Sequence, residues 1–443
     1  MSASRRGLWG LSLCWGACWV GCASGSVESP PTDDSGVRDE VASTVDAEGV
    51  DTTFVPDAGS PDEGVDTHAL FDAHDPLDAV DAAPDVLDAV DGLAIDSGPV
   101  VHAADCSFAS VKSAVSAAST GSTVAIPAGD CNWGTEQLIV PAGISLRGAG
   151  KDVTTLRRVG NVPNTVYLIA FDCTTPKRVR FSAMTLVGNG DGAIQDKGLG
   201  LLHGCIDFQV FDAKFTHFIF SAVYVGESES QRGVVYGNEF VDNYSADLRN
   251  LGYGVVVYGG GTWPALELGT ENAVFVEDNH FRGNRHDIAS NNGSRYVFRH
   301  NTVVATDAVK DFAMTDAHGL SSSPRGSRSW EIYANSYSTD PPTGIAERTA
   351  IGMRGGDGVA FDNTMTSTIA RPIELMVEGF GCGTYPGPDQ IRSAYFWGNT
   401  VNGYPNGIDD SCPASLQLGR DYFVTPKPGY APYAYPHPLR GSP

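Results

Sequence analysis

The amino-acid sequence predicts an all-β protein, a single-stranded right-handed parallel β-helix with a short N-terminal capping helix, over residues 104–443. Three observations carry this. The motif apolar-x-x-Asn-x-apolar recurs in Val235–Phe240, Val276–Phe281, Phe298–Val303, Ile332–Tyr337, Ala360–Met365 and Phe396–Val401, with asparagine at 238, 279, 301, 335, 363 and 399. The shortest interval between these asparagines is 22 residues, the length of one compact turn of a three-faced solenoid. The Asn-Gly and Asp-Gly pairs that close β-hairpins are not the recurring feature, which argues against a β-sandwich.

The motif has a physical reading. Apolar residues two or three apart straddle a corner and point into the bore. Asparagine accepts the left-handed or bridge geometry of a tight bend and can bond the coils above and below. Stacked corners then form an asparagine ladder, with strands ~4.8 Å apart along the axis. Two earlier copies, Phe181–Leu186 and Val210–Phe215, place Met184 and Ala213 in the same slot. From residue 184 the intervals run 29, 25, 41, 22, 34, 28 and 36. Most read as one coil plus an insertion, and 41 as one coil or two. Insertions are expected on one face, where solenoids place their binding surface.

Ahead of the motifs, Phe108, Val111, Ala114, Val115 and Ala118 recur at helical spacing. Thr123-Val-Ala-Ile-Pro-Ala-Gly129 and Gly143-Ile-Ser-Leu-Arg-Gly-Ala-Gly150 follow as strands. This order resembles the N-terminal cap and first coils of pectin-lyase-like proteins, and the resemblance implies that the helix covers the open end of the stack. At the other end, the Pro- and Tyr-rich stretch from Lys427 to Leu439 is expected to pack along the last coils and cap them.

Charge separates the chain into parts. The net charge is −24, but residues 23–100 hold 20 acidic side chains against Arg38 alone, leaving residues 101–443 at −7. The block 23–103 is read as a disordered Asp/Ala/Pro-rich tether, since like charges with few aromatics cannot bury enough surface to offset ordering entropy. Its composition resembles lipoprotein linkers of myxobacteria. Residues 1–22 read as a signal peptide: Arg5 and Arg6 precede an apolar stretch, Leu8–Val20, too short for a permanent span. Trp19-Val20-Gly21-Cys22 resembles a bacterial lipobox, with Trp where Leu is usual, and the resemblance implies lipidation at Cys22. The expected location is exported, as an outer-membrane or cell-surface lipoprotein or a secreted protein. The six cysteines beyond the signal fall in three neighbouring couples, read as Cys106–Cys131, Cys173–Cys205 and Cys382–Cys412 among the fifteen connectivities possible.

Chemistry concentrates in residues 280–354, where nine basic side chains face seven acidic ones and His280, His286, His300 and His318 lie. His280 and His300 flank ladder asparagines and read as scaffold. Three segments stand out: Arg285-His286-Asp287-Ile288-Ala289, Asp316-Ala317-His318-Gly319 and Arg354-Gly-Gly-Asp-Gly358. They resemble segments of bacterial right-handed β-helix proteins, a likeness that covers most of residues 105–443. Asp316-Ala317-His318 also resembles the Asp-Pro-His of alginate epimerases. Ala317 replaces the proline and Ala313 stands where that family has tyrosine, so epimerase activity is not carried over.

Pectin-lyase-like folds commonly act on acidic polysaccharides, and these residues suit β-elimination beside a uronate carboxylate. Arg285 or Arg354 would clamp the carboxylate. His286 or His318 would be the base. Asp316 or Asp287 would orient a histidine or help hold calcium. Glycoside hydrolysis would need two carboxylates, and Asp409-Asp410 is an adjacent acidic pair in the C-terminal half. The reading is therefore an exported polysaccharide lyase, with a non-catalytic glycan-binding or adhesin-like surface protein as the alternative. The partner is a polysaccharide or cell-surface glycan. Nucleic acid is excluded by the charge, the membrane is reached only through a lipid anchor, and the protein is expected to be a monomer.

Overall fold

A computed structural model describes residues 98–190, 196–245, 251–306, 313–321, 323–341, 345–378, 382 and 385–441. The signal peptide, the lipidation site Cys22 and the tether as far as residue 97 lie outside the described residues. Among those described, the strands form three sheets of twelve, eleven and ten strands, and the chain visits them in the same order in each coil. We call the faces A, B and C in that order. All but one of the ladders between strands are parallel; the exception joins Thr400–Val401 to Tyr404–Pro405. The molecule is a parallel β-helix. Its first strand, Val100–His102, pairs with Thr123–Ala125, so the folded part opens ahead of residue 104, where the sequence placed the boundary.

From Asn238 onward each coil turns from A to B at the asparagine slot, and the bonding there is complete. The side-chain Nδ2 of Asn238, Asn279, Asn301, Asn335 and Asn363 donates to Oδ1 of the next asparagine up the stack, at 2.8 to 3.1 Å. Each of the six also donates to a main-chain carbonyl of the preceding coil at 2.9 Å. Each Oδ1 from Asn279 onward accepts a second bond, from the backbone N–H of the asparagine below.

The sequence had asparagine itself taking the left-handed bend. Instead the residue before it does: Gly237, Asp278, His300, Ala334, Asp362 and Gly398 have φ between 53° and 63°. The bend must precede the slot so that the asparagine side chain turns inward to its partners. Ala183 and Asp212 bend in the same way ahead of Met184 and Ala213, so the corner survives where the amide is absent. The 41-residue interval is one coil, since Arg232–Tyr236 pairs directly with Val274–Glu277.

Constant register stacks like on like. Phe215, Phe240 and Phe281 stand over one another in the bore with ring centroids 5.1 and 4.7 Å apart and nearly parallel. The helix α1, Phe108–Ala117, begins at Ser107, whose hydroxyl accepts from the Ser110 N–H, and adds Val111, Ala114 and Val115 to the same core. Disulfides join Cys106 to Cys131, Cys173 to Cys205 and Cys382 to Cys412, which fits an exported protein. No helix among the described residues is long and apolar enough to cross a membrane.

The Pro- and Tyr-rich C-terminal stretch does not cap the end of the stack. It turns back and runs over the outside of face A. Lys427 lies on Tyr395, Tyr430 on Trp397 and Phe361, Tyr433 on Phe275, and Tyr435 on His300. The fully buried pair Arg299–Glu277 anchors it: Arg299 donates to the carbonyls of Tyr433 and Ala434, and Glu277 accepts from the His437 N–H. The aromatic row on the outside of face A, Phe211, Tyr236, Tyr333, Phe361, explains this course, because an apolar stripe left in water would favour association.

Removing one amide from the ladder leaves several buried polar groups without partners, each costing about 1–3 kcal/mol. Asn301→Ala is expected to lower stability by about 2–4 kcal/mol, read as a shift of the urea midpoint by circular dichroism. An unchanged midpoint would mean that the ladder does not hold the corner.

Candidate active site on face C

The asparagine corner is short in every coil that carries it, so in those coils longer connections are confined to the B–C and C–A corners on either side of face C. Residues 259–273 and 376–393, for example, separate C strands from the next A strands. The C-terminal stretch covers face A, so the outer side of face C is where the chemistry-bearing side chains collect.

Alternation along a strand explains how. In Ala313–Ala317, Thr315 points inward to bond Tyr337 and Ala317 joins the core, so Asp316 points out. His318, two residues on, falls on the same side. One coil later Met353 pairs with Ala317, which brings Arg354 beside His318. Glu378 follows the next strand, Ile369–Leu375. The Asp-x-His spacing and the distant arginine thus become one cluster.

Its geometry is tight. Arg354 grips Asp316 with two nitrogens, at 3.1 and 2.5 Å, and reaches Glu378 with a third at 3.0 Å. His318 lies between the two carboxylates, Nε2 at 3.1 Å from Asp316 and Nδ1 at 3.4 Å from Glu378, and Nε2 is also 2.6 Å from a nitrogen of Arg354. Glu378 also accepts the Gly319 N–H at 3.0 Å. Asp316 is 2% exposed and His318 23%, so the imidazole is the cluster's route to solvent.

The electrostatics follow from these contacts. Burial opposes charge on His318, but the adjacent Asp316 outweighs it, and the histidine titrates above its ordinary range. Burial likewise pushes Asp316 up, yet Arg354 and then His318 hold it well below the usual carboxylate range. Glu378 is lowered despite burial, through His318 and Arg354.

The other sequence candidates are placed differently. His286 is buried, stacked on Tyr253 at 5.2 Å, with Nδ1 on the Ala313 carbonyl and Nε2 3.8 Å from Asp316. Burial, reinforced by Arg285, holds its pKa well below the ordinary value, so it is neutral. With the proton on Nδ1, facing a carbonyl, its Nε2 turns a lone pair toward Asp316 and donates nothing to it, and burial keeps His286 from meeting a substrate. Arg285 donates to the Tyr253 hydroxyl at 2.8 Å on the outer side. Arg354, read as a carboxylate clamp, is occupied by Asp316 and Glu378. Asp287 is not a histidine partner: it is fully buried and accepts from Asn284 at 2.9 Å, and burial raises its pKa to about 7. Among the described residues no group of three or more His, Cys, Asp or Glu is arranged to hold a metal ion, so calcium finds no cage there.

Sequence reasoning missed Glu378 and Tyr253. Neither sits in a spacing that signals chemistry; only the coil register, Tyr253 against His286, places them. Tyr253 continues a row of aromatic side chains along the outside of face C. Tyr167 packs on Tyr224, Tyr224 on Tyr258 and Phe220 on Tyr253, with Lys197 over three of these rings.

No protein-family model matches the chain, and no curated protein sequence matches it. Solved structures of similar shape include an alginate lyase from Paenibacillus sp. str. FPU-7, at 12% identity and a TM-score of 0.44, covering 74% of this chain and 99% of that one. The Dettilon tailspike protein gives 12% and 0.40, with 68% and 61% covered. The A-module of the Azotobacter vinelandii mannuronan C-5 epimerase AlgE4 gives 13% and 0.33, with 68% and 86% covered. None of them transfers a residue role to this chain.

Asp287 carries a pH prediction. The unfolded chain loses this proton near pH 4 and the folded one near pH 7, so between them the folded state binds more protons and stability falls as pH rises. Asp287→Asn is therefore expected to be more stable than the wild type at pH 8, by on the order of 2–4 kcal/mol, with the gap closing toward pH 4. Urea midpoints at the two pH values check it; equal gaps at both would show that Asp287 is ionised in the fold.

Proposed function

We propose that the protein is an exported enzyme acting on an acidic polysaccharide by β-elimination, with His318 as the catalytic base. The observation that carries this is the partly exposed imidazole held between Asp316 and Glu378, both fixed by Arg354. Elimination takes the proton beside the uronate carboxylate onto a base and returns a proton to the departing glycosidic oxygen. The two carboxylates stabilise the imidazolium formed when His318 takes the proton, and that imidazolium is then the donor to the leaving oxygen. Arg285, at the outer end of Tyr253, neutralises the uronate carboxylate. Arg354 and Asp316 are positioning residues. Export through the N-terminal signal, anchoring through Cys22 and a monomeric state belong to the same proposal.

A glycan-binding role without turnover is the second reading. The partly exposed rings Phe220, Tyr253 and Tyr258 on face C favour it, because such rings hold sugars whether or not a base acts on them.

Incubation of the protein with pectate, alginate, glucuronan and glycosaminoglycans, followed by ultraviolet absorbance of unsaturated uronate, separates the two. His318→Ala is expected to lower the rate ~10²–10⁴-fold. Because His318 titrates above its ordinary range, activity is expected to rise with pH through that raised pKa. Glu378→Gln should move this limb to lower pH. Glycan binding with no product from any polymer at any pH would establish the second reading.

A further inference from the structure

A cavity of about 470 Å³ opens at the C–A corner beside the cluster, and its walls include Trp263, Leu320, Arg325, Asp357, Asp389 and Arg392. The volume is within the ~300–1,000 Å³ of small-molecule sites. Its charges are unevenly spent. Asp389 takes two nitrogens of Arg325 and the Gly326 N–H. Asp357 takes the backbone N–H groups of Arg392 and Ser393 and a nitrogen of Arg328. Both anions are satisfied. The Arg392 side chain is exposed and makes no ion pair among the described residues. Trp263 forms an aromatic wall, with Arg325 and Arg328 at 4.3 and 4.9 Å from its ring. A cavity lined by both an aromatic side chain and an unspent guanidinium suits a sugar ring that carries an anionic group.

The cavity is built on the same turns as the cluster. Leu320 is two residues beyond His318, which limits their Cα separation to ~7.6 Å. The Gly356 N–H, two residues beyond Arg354, donates to the Asp389 carbonyl at 3.0 Å. A polysaccharide crossing His318 toward the C–A corner would place its next residue here.

We propose that this cavity is a subsite for one acidic sugar residue, with its carboxylate or sulfate held by Arg392 and its ring against Trp263. The proposal rests on the acidic-polysaccharide reading above and adds what selects the substrate. Galacturonate, mannuronate and glucuronate trisaccharides, their carboxyl-reduced counterparts and a sulfated chondroitin tetrasaccharide would be titrated against the protein and followed by tryptophan emission. The expected result is a change in emission with an acidic oligosaccharide that Trp263→Phe abolishes. Arg392→Gln should raise Kd about tenfold, the loss of one charged hydrogen bond, and Arg392→Lys should recover part of it. Reduced oligosaccharides should not distinguish wild type from Arg392→Gln. Dependence on Arg392 for the sulfated probe alone would identify the anion as sulfate. An unchanged Kd in Arg392→Gln for every acidic oligosaccharide that binds, or no binding by any, overturns the subsite. Arg392-dependent binding without product overturns the catalytic reading and leaves the subsite standing. Turnover lost in His318→Ala but with KM unchanged in Arg392→Gln does the reverse.

Discussion

The bond between one buried asparagine and the next is the constraint on which the rest of the structure depends. A corner that must seat its amide between the carbonyl of the coil below and the amide above has no room for an insertion. The turn from face A to face B is therefore the same in each of these coils, and the strands leaving it keep their register. The bore can then hold phenylalanine on phenylalanine, and residues separated by 22 to 41 positions in sequence meet on one row. Variation in length is pushed to the other two corners, which border face C.

The same register makes the charge cluster possible. Asp316 is buried, and a carboxylate there would be costly without partners. Arg354 arrives from the next coil at the height needed to grip it with two nitrogens, and Glu378 arrives from the coil after that. The outcome is an imidazole more basic than an isolated histidine, displayed at the surface by side chains that are not. Face A shows the contrasting solution: its buried pair, Arg299–Glu277, holds down the chain's own C-terminal stretch, and the aromatic row beneath is closed to other partners.

Much of this was legible beforehand. The recurring Asn slot marks the solenoid, and Asp316, His318 and Arg354, which the sequence singles out, are side chains that the fold brings together. The limits have physical causes. Asp287 and His286 are neighbours in sequence, but alternation sends one into the bore and leaves the other beside Asp316. A sequence does not reveal that Arg354 is already occupied, because that depends on which acidic residues the coils bring to it. Glu378, Tyr253 and Arg392 lie in segments with no periodic signal, and only the stacking of coils gives them neighbours. The bend before each asparagine was likewise hidden, since glycine, aspartate, histidine and alanine all occupy it.

By itself, then, the sequence determined the architecture: periodic apolar residues around a buried amide can satisfy their hydrogen bonds and bury their side chains only by stacking on copies of themselves. The tertiary structure decided which polar side chains meet, which are spent on one another and which stay open to a ligand. Those outcomes turn on coil height and strand direction, and both are set by contacts between residues far apart in the chain.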